Sequence, residues 1–276
     1  MNKSTRMKLN LCLTVLIIAL VLLAAAGLVL NLTGYRYIKA DNGAKFFGKT
    51  TDGVILRGTI MLPDGTKAKI DRSLGTITYA NGDVYDGNFS GFYRNGTGKM
   101  IYASGDTYEG SFADDTMSGS GVYISADGSR YEGEFQNGKA EGNGIYTWSD
   151  GSTYEGSFSD NRKNGSGVYN GADGTHYEGE YKNDKKNGTG TFRYANGDVY
   201  SGEFVDDLRE GNGTYTYANG ESYSGEFSKD RKNGKGVYSW PAPNARSYDG
   251  YFENGTVVIR EDTPAPDDMQ DEVTEG

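Results

Sequence analysis

A 23-residue period running from Tyr85 limits what this chain can fold into more than any other feature. Tyr-x-Gly-x-aromatic returns at Tyr85, Tyr108, Tyr131, Tyr154, Tyr177, Tyr200, Tyr223 and Tyr248, in register except for one two-residue insertion. Repeats of that size contact mainly their neighbours, because one unit cannot bury enough apolar surface to order itself. Such an array presents extended surface rather than a pocket.

The repeat Tyr131–Thr153 shows the grammar. Tyr131, Gly133 and Phe135 alternate with Glu132 and Glu134, the period of a strand with one apolar face. A polar stretch, Gly142-Asn-Gly144 and a second run, Ile145-Tyr-Thr-Trp148, follow before Asp150-Gly151 closes the unit. Asp-Gly or Asn-Gly between alternating runs signals a hairpin, and it recurs at Asn81, Asp127, Asp173, Asn196 and Asn219. This pattern predicts an all-β, antiparallel β-meander of stacked β-hairpins, with tight turns on one edge and longer polar loops on the other. Aromatic rows recur at the fifth position (Phe89 to Phe252) and the sixteenth (Tyr123 to Tyr238, with Met100 leading). Glycines held at fixed places inside strands predict rings lying over them.

These residues closely resemble the MORN (membrane occupation and recognition nexus) repeat: Tyr154-Glu-Gly156-Ser-Phe158, then Gly165-Ser-Gly167, then Gly174. The resemblance runs from Tyr85 to about Arg260. It implies an elongated, twisted antiparallel sheet acting as a scaffold, with phospholipid binding often proposed for the family. The matching residues are structural, so no ligand residues carry over. The array is assigned to 85–260. Residues 33–84, with fragments such as Phe47-Gly48 and Asn81-Gly82 at shortened spacing, read as a juxtamembrane segment and degenerate capping repeats. The unit at Tyr248 stops after its first strand and a short apolar run.

Leu11–Leu30 is apolar except for Cys12 and Thr14, and as a helix would span ~30 Å, the thickness of a hydrocarbon core. It predicts a transmembrane helix and signal anchor over 9–32 behind a basic tail, 1–8. The competing reading is a cleaved signal peptide with Ala24-Ala25-Ala26 as its small-residue site, against which the apolar run is too long. Lys3, Arg6 and Lys8 abut the helix, which favours a single-pass protein of the cell membrane, N-terminus cytoplasmic and repeats extracytoplasmic. Residues 261–276 hold seven carboxylates, two prolines and no basic residue, and are expected to form an acidic disordered tail.

Catalysis finds little support. There is one histidine, His176, at a variable position, and one cysteine, Cys12, in the apolar segment, leaving neither disulfides nor a Cys/His metal cluster. Glu109, Glu132, Glu134, Glu155, Glu178, Glu180, Glu203 and Glu226 recur because the repeat recurs, and read as a solvated face rather than a catalytic pair or calcium site. No enzymatic activity, cofactor or metal is expected. From Tyr85 to Arg260 the chain has 17 Lys and Arg against 26 Asp and Glu, which disfavours nucleic acid.

The leading expectation is a membrane-tethered scaffold for protein–protein interaction. An alternative is carbohydrate or cell-wall binding through exposed rings of the eighteenth position: Tyr102, Trp148, Tyr194, Tyr217 and Trp240, a row broken at Ser125 and Gly171. Another is docking on anionic lipid headgroups through basic loop tips, Arg162, Lys163, Lys185, Lys186, Arg231 and Lys232, a stripe interrupted by Asp114-Asp115 and Asp206-Asp207. Unpaired edge strands leave a homodimer open.

Overall fold

The computed structural model describes residues 3–243 and 245–258; the predicted acidic tail lies outside them. One helix, α1 (Lys3–Leu32), precedes twenty-one strands. It begins inside the segment read above as a basic tail. It is long and apolar enough over Thr14–Leu32 to cross a membrane, and by length and composition fits a membrane anchor and a signal sequence alike.

The chain forms two compact units, with the division between Thr116 and Met117. The first holds α1, β1 (Tyr35–Lys39), β2 (Lys45–Thr51), β3 (Val54–Met61), β4 (Lys67–Asp71), β5 (Thr76–Tyr79), β6 (Val84–Ser90), β7 (Tyr93–Ile101) and β8 (Thr107–Ala113). The second holds β9 (Thr116–Ile124), β10 (Arg130–Gln136), β11 (Lys139–Thr147), β12 (Thr153–Ser159), β13 (Arg162–Asn170), β14 (His176–Lys182) and β15 (Lys185–Arg193). It continues through β16 (Val199–Val205), β17 (Leu208–Thr216), β18 (Ser222–Ser228), β19 (Arg231–Trp240), β20 (Arg246–Glu253) and β21 (Thr256–Val258). Within each unit every strand pairs antiparallel with its sequence neighbours, the meander expected from the repeat.

The register explains the glycines. On β12 and β13, Tyr154 pairs with Tyr169 and Gly156 with Gly167, so all four share one face. The Tyr154 ring lies over both glycines: a Cβ on Gly156 would sit 2.6 Å from the Tyr154 hydroxyl and 2.6 Å from the Gly167 Cα. Tyr154 is fully buried, and its hydroxyl donates to the Ser157 carbonyl at 3.1 Å. Its ring meets Phe158 edge-on at 5.2 Å and Tyr181 of the next repeat at 5.1 Å. The same arrangement recurs at Tyr131, Tyr177, Tyr200 and Tyr223, making an edge-to-face zipper of the kind aromatic quadrupoles favour. Burial raises the phenol pKa of Tyr85, Tyr108, Tyr131, Tyr154, Tyr200 and Tyr223 to about 12.

The expected long loops are absent among the described residues; both edges turn tightly. The polar stretch between Phe158 and Gly165 is a two-residue turn, Asp160-Asn161, flanked by strand. Both turn residues have positive φ (55° and 67°), as do Asp114-Asp115, Asn183-Asp184 and Asp206-Asp207. That matches the primed hairpin turns in which Asn and Asp tolerate the left-handed region. Polar composition was read as loop where it marks the solvated start of a strand.

Candidate binding surface

The second strand of each hairpin is longer than the first because it carries a bulge. Between the Gly156–Gly167 and Phe158–Lys163 pairs, β13 contributes three residues against one on β12. Gly165, within the bulge, has φ +100°. The amides it exposes are capped by fourth-position carboxylates: Glu134 accepts from Asn143 N (3.2 Å), Glu180 from Thr189 N (3.1 Å), Glu203 from Asn212 N (2.9 Å) and Glu226 from Lys235 N (3.0 Å). Glu180 is held below the usual carboxylate range by hydrogen bonds from the Thr189 amide and hydroxyl. Half of the carboxylate row is therefore tied to the backbone. The second-position members, Glu109, Glu132, Glu155 and Glu178, stay exposed. A depression of 770 Å³ on that outer face is lined by Ile145, Glu155, Val168, Glu178 and Thr189 among others. Among the described residues no carboxylates, histidine or cysteine gather into a metal-holding group. His176 opens β14, where its Nδ1 lies 2.8 Å from Asn170 Oδ1.

The basic pairs begin strands rather than crown loops: Arg162-Lys163 opens β13, Lys185-Lys186 opens β15 and Arg231-Lys232 opens β19. Strand alternation then splits each pair. Arg162, Lys185 and Arg231 are exposed, while Lys163, Lys186 and Lys232 turn to the ring face and are half-buried. Lys163 Nζ lies 5.6 Å from the Trp148 ring and 4.8 Å from Tyr181. Lys186 is 4.6 Å from Phe192, and Lys232 is 4.8 Å from Tyr238 and 5.3 Å from Tyr217. Arg209 occupies the equivalent place between Tyr200 and Tyr215. Ammonium over ring faces is worth about 0.5–2 kcal/mol, which helps hold these cations where burial opposes their charge. Burial pushes the pKa of Lys163 and Lys186 down, and burial together with the Arg209 charge takes Lys232 to about 8.

The acidic interruptions of the basic stripe latch one repeat to the next. Asp184 Oδ1 accepts from Lys163 N at 2.9 Å, and Asp184 N donates back to the Lys163 carbonyl at 3.0 Å. Asp207 does the same to Lys186, Asp230 to Arg209, Asn161 to Ala140 and Asp115 to Arg94, each across 21 residues. Nothing in a single repeat reveals this reach; the signal was the acidic or amide residue that ends the turn in five repeats, glycine taking its place at Gly138 and Gly255.

The eighteenth-position rings lie beside the zipper on the same face. Tyr102, Trp148, Tyr194, Tyr217 and Trp240 are all half-buried. Sixteenth-position rings fill the spaces between them: Phe192–Tyr194 (4.5 Å), Tyr194–Tyr215 (5.7 Å), Tyr215–Tyr217 (4.7 Å), Tyr217–Tyr238 (6.1 Å) and Tyr238–Trp240 (4.7 Å). Arg246 closes the ladder 4.3 Å from Trp240. A row expected to be a patch is, from Phe192 to Arg246, continuous. Its polar tips are partly engaged within the sheet: Tyr215 Oη donates to Asp198 Oδ2 at 2.6 Å and Tyr238 Oη donates to Glu221. Burial would raise the Asp198 pKa, but hydrogen bonds from Tyr215, the Ala218 amide and Asn196 outweigh it and hold it low. Half of the cations that the sequence assigned to lipid, Lys163, Lys186 and Lys232, thus join the face that carries the rings it assigned to glycans, while Arg162, Lys185 and Arg231 stay apart from them.

No curated protein sequence is similar to the chain. Among solved structures it is similar to the TCP10 domain of Danio rerio CPAP, at 14% identity over 69% of this chain and 94% of that one, with a TM-score of 0.35. It is also similar to the Drosophila melanogaster SAS-4 TCP domain, solved with a proline-rich motif of Ana2, at 16% identity over 74% and 96% of the two chains, TM-score 0.28. The MORN repeat pattern matches seven consecutive segments, 85–107, 108–130, 131–153, 154–176, 177–199, 200–222 and 223–242, leaving the partial unit at Tyr248 outside it. With more than half of its residues matched, the chain belongs to the MORN repeat family.

Proposed function

We propose that the protein is a non-enzymatic scaffold, tethered to the cell membrane by α1, that binds a protein partner along its ring ladder. The observation that carries this reading is the run of half-buried rings from Phe192 to Trp240. The first-position tyrosines are consumed in packing, but these rings keep part of their surface in water. Tyrosine and tryptophan offer large, rigid contact area at low entropic cost. The N-terminal charges favour repeats on the extracytoplasmic side.

The test is site-specific photocrosslinking in intact membranes. A crosslinker replacing Tyr217 is expected to give a discrete protein adduct that disappears in a Tyr194→Ala/Trp240→Ala background, while one replacing Thr214 on the outer face gives none. Adducts of equal yield from both faces would overturn the assignment of the surface. Retention on insoluble cell wall, lost in the Trp240→Ala variant, would replace the protein partner by a glycan.

A further inference from the structure

The outer face of β1–β4 differs in kind from the outer faces of the repeats. Strand register places Lys39, Lys45, Lys49, Arg57, Lys67 and Lys69 on it. Lys39 lies directly opposite Lys45, and Lys49 directly opposite Arg57. Like charges so placed weaken a sheet. Among the described residues of these strands Asp71, opposite Arg57, is the one carboxylate on that face, and none of the five lysines has an ion-pair partner. Several outer-face cations of the repeats are paired, Lys99 with Glu109, Arg130 with Glu132 and Lys235 with Asp249, although Arg162, Lys182, Arg193 and Arg231 are not. Residues 33–84 carry eight Lys and Arg against five Asp, the reverse of the acidic array.

Apolar side chains stand among these charges. Tyr37 is 63% exposed, Phe47 opposite it 48% and Met61 39%, and the Tyr35 ring lies 6.0 Å from Phe47. Exposed rings among unpaired cations suit the bilayer interface, where aromatic bodies sit at headgroup depth and Lys and Arg meet lipid phosphates. Position adds to chemistry. β1 starts three residues after Leu32, a reach of at most ~10 Å. The junction is hydrogen-bonded: Arg36 Nη1 donates to the Asn31 carbonyl at 2.9 Å, and Thr50 N donates to the Gly34 carbonyl at 2.8 Å.

Resting on the reading of α1 as a membrane anchor, we propose that the outer face of β1–β4 lies against the anionic headgroups of the leaflet from which α1 emerges. The surface belongs to the strands before the repeats, and its ligand is the phosphate-bearing lipid surface. The repeats, acidic on their outer faces, stay clear of it.

The test uses the full-length chain with Cys12→Ser and Thr59→Cys, labelled at residue 59 with a fluorophore that nitroxide-bearing lipids quench. Thr59 is exposed on the docking face, opposite Phe47 and Lys69. The protein is reconstituted in vesicles of phosphatidylcholine alone or mixed with phosphatidylglycerol. Expected is strong quenching with phosphatidylglycerol, several-fold weaker without it, and weakened by high salt as screening shortens the Debye length below its physiological value of about 8 Å. Lys45→Glu/Lys67→Glu should abolish the difference, and a label on Thr191→Cys in the array should stay unquenched. Equal quenching in both lipids, or a signal that follows protein density instead of lipid composition as a second copy would produce, overturns the proposal. Flotation with vesicles after alkaline carbonate reports the anchor separately: a chain that floats but is not quenched loses only the docking face, and one that does not float loses the anchor as well.

Discussion

The inner face of β2–β5 is filled by Phe46, Ile60, Ala68, Ile70 and Ile77, whereas in the repeats it is filled by tyrosines and phenylalanines locked edge to face. One feature is common to both. Phe46 lies over Gly48 and Gly58, a glycine pair placed as Gly156 and Gly167 are beneath Tyr154. Phenylalanine needs only that cradle. Tyrosine needs in addition a carbonyl for its hydroxyl, which the residue three positions on supplies in every complete repeat. Where the hydroxyl is absent, spacing can shorten and aliphatic residues can take over. Where it is present, the repeat length stays at 23 residues except in the unit from Tyr223, which carries the two-residue insertion. The regular part of the chain is regular because its core residue has a polar end to satisfy.

Alkali offers the largest contrast. A phenol whose folded pKa is about 12 and whose unfolded value is about 10 stabilises the fold fully below pH 10 and progressively less as pH rises through 12. The array should therefore unfold cooperatively in that window, with phenolate absorbance and loss of strand signal coinciding, while amides of β2–β4, whose buried side chains do not titrate there, remain protected from exchange for longer. Simultaneous loss in both regions would erase the distinction. Next in size is the cradle. Gly167→Ala drives a Cβ into the Tyr154 ring and should cost about 3 kcal/mol in denaturant unfolding. Gly53→Ala, at a positive-φ turn of the cap with open space around it, should cost only about 1 kcal/mol from backbone strain.

Breaking one latch comes third. Asp184→Ala leaves the Lys163 amide without its acceptor and should destabilise the protein by about 2 kcal/mol, with exchange rising first in the adjoining repeats. The smallest effect sharpens the comparison within the tyrosines. Tyr154→Phe removes a satisfied hydroxyl and should cost about 1 kcal/mol. Tyr248 in the final, partial unit has a buried hydroxyl with no hydrogen-bond partner. Tyr248→Phe should cost nothing or stabilise, and an equal cost at both sites would show that the hydroxyl is not what fixes the repeat.

Strand alternation, Asp-Gly turns and ring-over-glycine packing were all legible in the sequence, because each depends on residues a few positions apart. The latch was not, since Asp184 and Lys163 meet only after two hairpins have formed. The same blindness made Lys163, Lys186 and Lys232 look like loop cations. A polar run containing Asp-Asn or Asn-Asp reads as loop until both residues are seen at positive φ, which turns six apparent loop residues into a two-residue turn and two strand ends. The ring ladder was half visible: the eighteenth position alone is interrupted, and the sixteenth-position rings join it only once the strands are paired. The division of outer-face charge between cap and repeats required register, which places Lys39 against Lys45 and Lys49 against Arg57.

The latch also sets how the chain would respond to load. Each hairpin holds its predecessor through one turn residue and a ladder whose bonds lie across the strands, so tension applied to the C-terminal end meets those bonds one after another. Repeats would come away singly, each releasing 23 residues and about 80 Å of slack. A force-extension trace should show evenly spaced steps rather than one rupture.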